Sequence, residues 1–498
     1  MIRRGSIVAL LLLTACGGAP EASPTHPTPQ VPTTATPTNG DSLGAKPGVA
    51  AAPPFAPPTP VVYKRAGGPE VWLVERHSLP IVSIEIVVRA GAAQDPTGKG
   101  GLAVVTANML DEGAGTRGPL DIARDVDRLG ATLHTGAYAD YSFVQLTSLK
   151  KNLAEASLIM GDVLTKPAMS PIEWKRVHSL WQNDLQQRKS EPNAVSGVVV
   201  ARQLFPANDP YAHPSDGTIA SAGSVTLADV QAFYESSWGP ENATVVVVGD
   251  ISRGELDPLL DKALASWKSR AKPRTKVSPV REDSAKAERR VIIVDRPDAP
   301  QSVIAVARRG VAAEDPVAPL VSRLNIALGG SFTSRLNQDL REEHGWSYGA
   351  RSRFTFSTWR GAFVAQAAVQ TDHAGDALKA MLADVATFSE KGLTDEEVDK
   401  TRMVARADLL EAYERVEQAA HRIARNAGVG LGAGYEAQSS ARAYAATRAE
   451  LDSASKAQFD VANGLVVVVG PRAKLEPQLK AIGITKFEMA SPEGDPVR

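Results

Sequence analysis

The chain repeats itself, and this repetition limits its architecture more than any other feature of the 498 residues. "RAGAAQDP", Arg89 to Pro96, returns as "RGVAAEDP", Arg309 to Pro316, 220 residues later. "TVVVVGD", containing Gly249, returns as "LVVVVGP", containing Gly470, at an offset of 221. Between these anchors "MGDVLTKPAMSPIEW" resembles "LADVATFSEKGLTDEEV", with Asp162 and Asp384 222 apart and Glu173 and Glu397 224 apart. Anchors kept in order at a nearly constant offset imply a tandem duplication. A chain of this length exceeds one ordinary hydrophobic core, so two similar domains are expected.

Each half follows one order of elements. "LPIVSIEIVVRAG" and "QSVIAVARRG" are short, β-branched and bounded by turn residues, which predicts strands. "SFVQLTSLK" and "WRGAFVAQAAV" read the same way, and each half closes on a Val-rich strand. Ser170 to Glu173 and Thr394 to Glu397 have capping-box spacing, so long helices should start there. The fold class expected is α+β: two homologous α/β halves, each a mostly antiparallel sheet packed with helices. The halves are placed at 61–267 and 291–489, with a charged, Pro-containing, aperiodic linker at 268–290 and a tail at 490–498. Hydrophobic residues make up 43% and charged residues 22%, a globular balance. The formal charge of −1 gives no electrostatic reason to expect nucleic acid. No apolar run is long enough to cross a bilayer as a mature helix.

The N-terminus reads as an address. Arg3 and Arg4 precede a short apolar stretch, Ile7 to Leu13, and Leu13-Thr14-Ala15-Cys16 resembles the lipobox of bacterial lipoproteins. On this reading residues 1–15 are removed and Cys16 carries the lipid, anchoring the chain to a membrane. A plain secretory peptide with an incidental cysteine is the alternative. Gly17 is not the aspartate associated with inner-membrane retention, so the periplasmic face of the outer membrane is the expected location. Residues 16–60, rich in Pro, Thr and Ala, are expected to be a disordered tether. Cys16 is the sole cysteine, so no intrachain disulfide can form.

"AGAAQDP" followed by "GLAVVTANMLDEGAGTR" and the remainder of a duplicated α/β half resembles the pitrilysin/insulinase family of zinc peptidases, the inverzincins, over about 61–489. The resemblance implies a clamshell of two halves. In active members this helix carries HxxEH, two histidines for zinc and a glutamate that activates the bound water. Here the aligned segment is VVTAN: Val104 and Asn108 stand at the histidine positions and Ala107 at the glutamate. Asp184 lies near the place of a further glutamate ligand, but one carboxylate is not a zinc site. The eight histidines, His26, His77, His134, His178, His213, His344, His373 and His421, include no pair three or four apart. No zinc or other cofactor is therefore expected in this chain, and zinc is expected in a partner subunit.

The same resemblance assigns Arg341 and Tyr348, in "REEHGWSY", to substrate binding. A guanidinium offers fixed donors to peptide carbonyls, and a phenol adds a donor where negative charge develops. An ordinary surface arginine and a half-buried tyrosine would look alike in sequence. The upstream "LGGSFTSRL", Leu328 to Leu336, also matches the family and favours the functional reading. "GVGLGAGY", Gly428 to Tyr435, lacks GK[ST] and follows a helical stretch, so it is read as a loop in the place of "PANDPYAHP" in the first half. No GxSxG occurs, and neither a serine elbow nor a cysteine nucleophile is supported.

The expected function is a zinc-free subunit, inactive alone, of a heteromeric metallopeptidase that binds and cleaves peptides in the cell envelope beside an HxxEH-bearing homologue. A non-proteolytic peptide-binding or scaffolding lipoprotein of the same fold is the alternative, and an enzyme with an unrecognised site is a third reading.

Overall fold

The computed structural model describes residues 55–66, 68–269 and 288–497. The signal segment 1–15, Cys16, His26, most of the tether and residues 270–287 of the linker lie outside the described residues.

In the first half, Val61–Lys64 (β1), Glu70–Glu75 (β2), Ile81–Val88 (β3), Thr132–Ala137 (β4), Ser142–Leu149 (β5) and Ala243–Gly249 (β6) form a sheet in the order β1-β2-β6-β3-β5-β4. The second half builds its sheet from Arg290–Asp295 (β7), Gln301–Gly310 (β8), Ser347–Phe356 (β9), Gly361–Gln370 (β10), Leu465–Gly470 (β11), Glu488–Ala490 (β12) and Pro496–Val497 (β13). Its order is β13-β12-β7-β11-β8-β10-β9. The shared core, β2-β6-β3-β5-β4 against β7-β11-β8-β10-β9, is one topology used twice, with the antiparallel pairings broken only where β2 meets β6 and where β7 meets β11 and β12. The strands and both capped helices fall where the sequence places them: Ser170 caps Pro171–Arg188, and Thr394 and Glu397 exchange hydrogen bonds at the start of Asp395–Glu414. Neither half ends on its Val-rich strand: the helices Arg253–Ala263 and Arg472–Ala481 follow it, and in the second half the residues read as a tail supply part of β12 and all of β13.

The uninterrupted valines have a physical reason. A strand that is apolar at every position must be covered on both faces. In β6, Val245 and Val247 face helices of their own half, while Val246 and Val248 face Ala420, Ile423 and Ala424 of the Val416–Gly428 helix, which belongs to the second half. The debt is returned in kind: Val195, Val199, Val200 and Leu204 of the first-half helix Pro192–Leu204 cover Val467 and Val469 of β11. Each such side chain taken from water stabilises the fold by about 1.5–3 kcal/mol. The halves are thus joined by an exchange of helices. The loops "PANDPYAHP" and "GVGLGAGY" both follow these helices, as their aligned positions suggest.

Candidate functional site

The repeated Asp-Pro motif works as a helix anchor. Asp95 accepts from the backbone N–H of Gly101 (2.7 Å) and of Ala103 (2.9 Å), fixing the entry to the Leu102–Asn108 helix. Burial pushes its carboxyl up to about 7 despite those donors. In the second half Asp315 accepts from Val317 N–H (2.9 Å) ahead of the Ala318–Asn325 helix. Gly101 takes φ +93°, and a Cβ there would lie 2.5 Å from Trp181. Trp181 donates to Asp216 O (2.8 Å) and sits on the Pro171–Arg188 helix, so the two helices that the resemblance assigns to a metal site are packed together.

The side chains on that scaffold do not fit zinc. Val104 is half-buried with no lone pair to offer, Ala107 is fully buried in the core, and Asn108 points to solvent as a neutral amide. Asp184 is exposed. Among the described residues no three His, Cys, Asp or Glu side chains come close enough to hold a metal ion. Two of the histidines are engaged elsewhere: His178 meets Ala222 O (2.8 Å), and His77 meets Asp250 (2.7 Å).

The second half presents a different surface. The Ala318–Asn325 helix widens into a π-type turn at Ile326–Gly330, and after a loop a second π-type turn covers Gln338–Glu343. Such turns displace side chains from the regular helical face and often mark functional sites. Arg341 lies in the second turn. Gly345, at φ +65°, then redirects the chain into β9, whose second residue is Tyr348. Asn337 Oδ1 accepts from Ala350 N–H (2.8 Å), tying the turn to the strand. Arg335 forks onto Glu397 (Nε to Oε1 2.8 Å), and Lys400 reaches Thr333 O (2.7 Å), so the glycine-rich segment is bound to the Asp395–Glu414 helix. Beneath it, burial and the charge of Asp339 hold the Asp384 carboxyl well above the usual carboxylate range.

The two expected substrate-binding groups differ in how they are held. Tyr348 is 89% exposed, and its hydroxyl makes no hydrogen bond among the described residues. Arg341 stacks over Phe332 with 4.4 Å from guanidinium carbon to ring centroid, and its nearest carboxylate is that of the neighbouring Glu342 (3.4 Å). Phe332 is itself 67% exposed. Sequence reasoning did not single it out: it lies within "LGGSFTSRL", but an aromatic in an aperiodic loop gives no signal of what stacks on it.

Residues 70–207 match the family described as "Insulinase (Peptidase family M16)", and residues 224–404 match "Peptidase M16 inactive domain". The chain belongs to the M16 family. Among M16 relatives, an "uncharacterized zinc protease" of Mycobacterium leprae is 23% identical over 337 residues, covering 66% of this chain and 74% of the relative. The "non-peptidase homolog YmxG" of Helicobacter pylori is 24% identical over 345 residues, covering 69% and 76%. The crystal structure of an M16 inactive domain from Pseudomonas fluorescens superposes with a TM-score of 0.75 at 25% identity, covering 83% of this chain and 98% of that one. With a second-half match to the M16 inactive domain and a relative named as a non-peptidase homologue, the chain is an M16 member of the inactive type.

Proposed function

We propose that this protein is the zinc-free, substrate-binding subunit of a heteromeric M16 metallopeptidase, tethered to the cell envelope through lipid on Cys16. The observation that carries this reading is the contrast between the two halves. One keeps the metal helix without ligands, whereas the other holds Arg341 on Phe332 and leaves the Tyr348 phenol open to solvent. In a closed chamber the Arg341 guanidinium would donate to backbone carbonyls of an extended peptide. The Tyr348 hydroxyl would donate to the carbonyl oxygen as it gains negative charge. A partner bearing HxxEH would supply zinc and the general base, because Ala107 can accept no proton. Retention of the Gly101–Trp181 packing after loss of the ligands supports a role for the first half as scaffold.

The test is affinity isolation of the soluble chain, Gly17 onward, from its own cell envelope, with the eluate assayed for zinc and for cleavage of a quenched peptide. Recovery of an HxxEH homologue with chelator-sensitive cleavage is the expected outcome. Stoichiometric capture of peptides without partner, zinc or cleavage would favour the non-proteolytic lipoprotein.

A further inference from the structure

The second half contains a cavity of about 620 Å³, within the range of about 300–1,000 Å³ that accommodates small organic ligands. Four helices wall it: Ala318–Asn325, Asp395–Glu414, Val416–Gly428 and Tyr435–Ala445. Phe55, at the start of the described chain, also lines it. The interior is apolar, with Ile326, Phe356, Leu409, Val429 and Leu431 on its surface.

Its charge is unusual for such a lining. Five arginines and two carboxylates border the cavity, a surplus of three positive charges in a chain whose formal net charge is −1. Some of these arginines are already answered. Arg323 donates to the carbonyls of Ala443 and Val398, each at 2.7 Å, and is structural. Arg422 Nε pairs with Glu436 at 2.6 Å, and Asn426 donates to the other oxygen. Arg402 and Arg425 are less fully answered. Arg402 Nη1 donates to Asp399 at 3.3 Å, but its Nε is buried and meets no acceptor among the described residues. Arg425 is exposed to solvent, forms no hydrogen bond or ion pair among the described residues and stands one helical turn from Arg422, so its charge is available to a ligand. The buried Arg402 Nε without an acceptor is costly, and a bound anion would relieve it.

We infer that this cavity binds a single-chain amphipathic carboxylate, a fatty acid. Its acyl chain lies among the apolar residues, and its headgroup is held by Arg402 and Arg425. A carboxylate matches the planar fork of a guanidinium. A small inorganic anion would satisfy the arginines but leave the apolar walls uncovered. The proposal is independent of the peptidase reading, since neither Arg341 nor Tyr348 lines the cavity.

The test is calorimetric titration of the full chain with dodecanoate below its micellar concentration, alongside dodecanol, acetate and inorganic phosphate. Saturable one-to-one binding of dodecanoate is expected, with dodecanol at least about tenfold weaker and acetate and phosphate silent. Arg402→Ala with Arg425→Ala should weaken dodecanoate by about tenfold or more while circular dichroism stays unchanged. Ala437→Phe, which fills the cavity without touching a charge, should also abolish binding. Equal binding of dodecanol, undiminished binding by the double variant, or phosphate binding as tightly as dodecanoate would overturn the proposal. So would binding seen only after deletion of residues 17–53, which would make that segment the occupant.

Discussion

His421 Nδ1 lies 3.1 Å from Glu85 Oε1, setting an imidazole of the second half against a carboxylate buried at the centre of the first half's sheet. Gln145 donates to the other oxygen of Glu85 (3.0 Å), and Tyr138, Tyr141, Glu417 and Arg425 are the remaining titratable groups that face the pair. The contact sits in the exchanged-helix interface, so its protonation bears on how firmly the halves hold together. The bond to Glu85 raises the pKa of His421 above 6.5, and burial raises that of Glu85 above 4.5. Both folded values exceed their unfolded ones. Each group therefore contributes stability that is present at low pH and lost as pH rises through the folded value. Thermal stability should fall as pH rises above 4.5, through the contribution of Glu85, and fall further above 6.5 as that of His421 is lost. Glu85→Gln should flatten that slope, and a variant slope equal to the parent's in a Tm-against-pH series would show that the pair does not control it.

In a reconstituted complex with an HxxEH partner, Tyr348→Phe should lower kcat by about 10- to 100-fold, somewhat less than a fixed oxyanion donor costs. Arg341→Ala should chiefly raise KM. With Tyr348 89% exposed, its substitution should leave Tm unchanged, so a loss of activity cannot be attributed to unfolding. Full activity in both variants would remove these residues from substrate binding.

Phe332 positions Arg341 rather than contacting reacting atoms. A cation–π contact at an exposed site is worth about 0.5–1 kcal/mol, so Phe332→Ala should raise KM by about two- to fivefold with kcat little altered. Phe332→Tyr keeps the ring face and should restore the parent KM. Failure of that rescue would locate the effect elsewhere in the loop.

Gly428 closes the exchanged helix against the first half, where an added Cβ would fall 2.3 Å from Tyr141 Cδ1. Gly428→Ala should therefore destabilise the protein by about 1–3 kcal/mol through overpacking, read as a lowered midpoint in urea unfolding. Gly430→Ala serves as a control for left-handed backbone alone, because its φ is +85° but nothing crowds its Cβ.

Much of this architecture is legible in the sequence because it repeats. The β-branched runs around Ile84, Ile304, Val246 and Val467 give the strands, and two capping boxes give the long helices. The uninterrupted valines also signal that both sheet faces are covered. What they do not carry is the identity of the cover. The stripe of Ala420, Ile423 and Ala424 has the period of a helix, and period alone names no partner, so the exchange appears only in three dimensions. The same limit applies at the site. Val104, Ala107 and Asn108 are readable as missing ligands because that chemistry depends on residue type. The stack of Phe332 on Arg341 depends on where two π-type turns bring the chain, which local pattern does not encode. The cavity beside the second-half helices was likewise invisible, since its arginines are spread over three helices.

Because each half lends the other one wall of its core, the peptide between residues 269 and 288 is not what keeps them together. A protease cutting there would yield two fragments that remain a single particle, separable only by denaturant, and neither would be soluble alone with a valine-covered sheet laid bare. The clasp is the self-complementary contact of a twofold dimer, each half gripping the other with its helix, carried here within one chain.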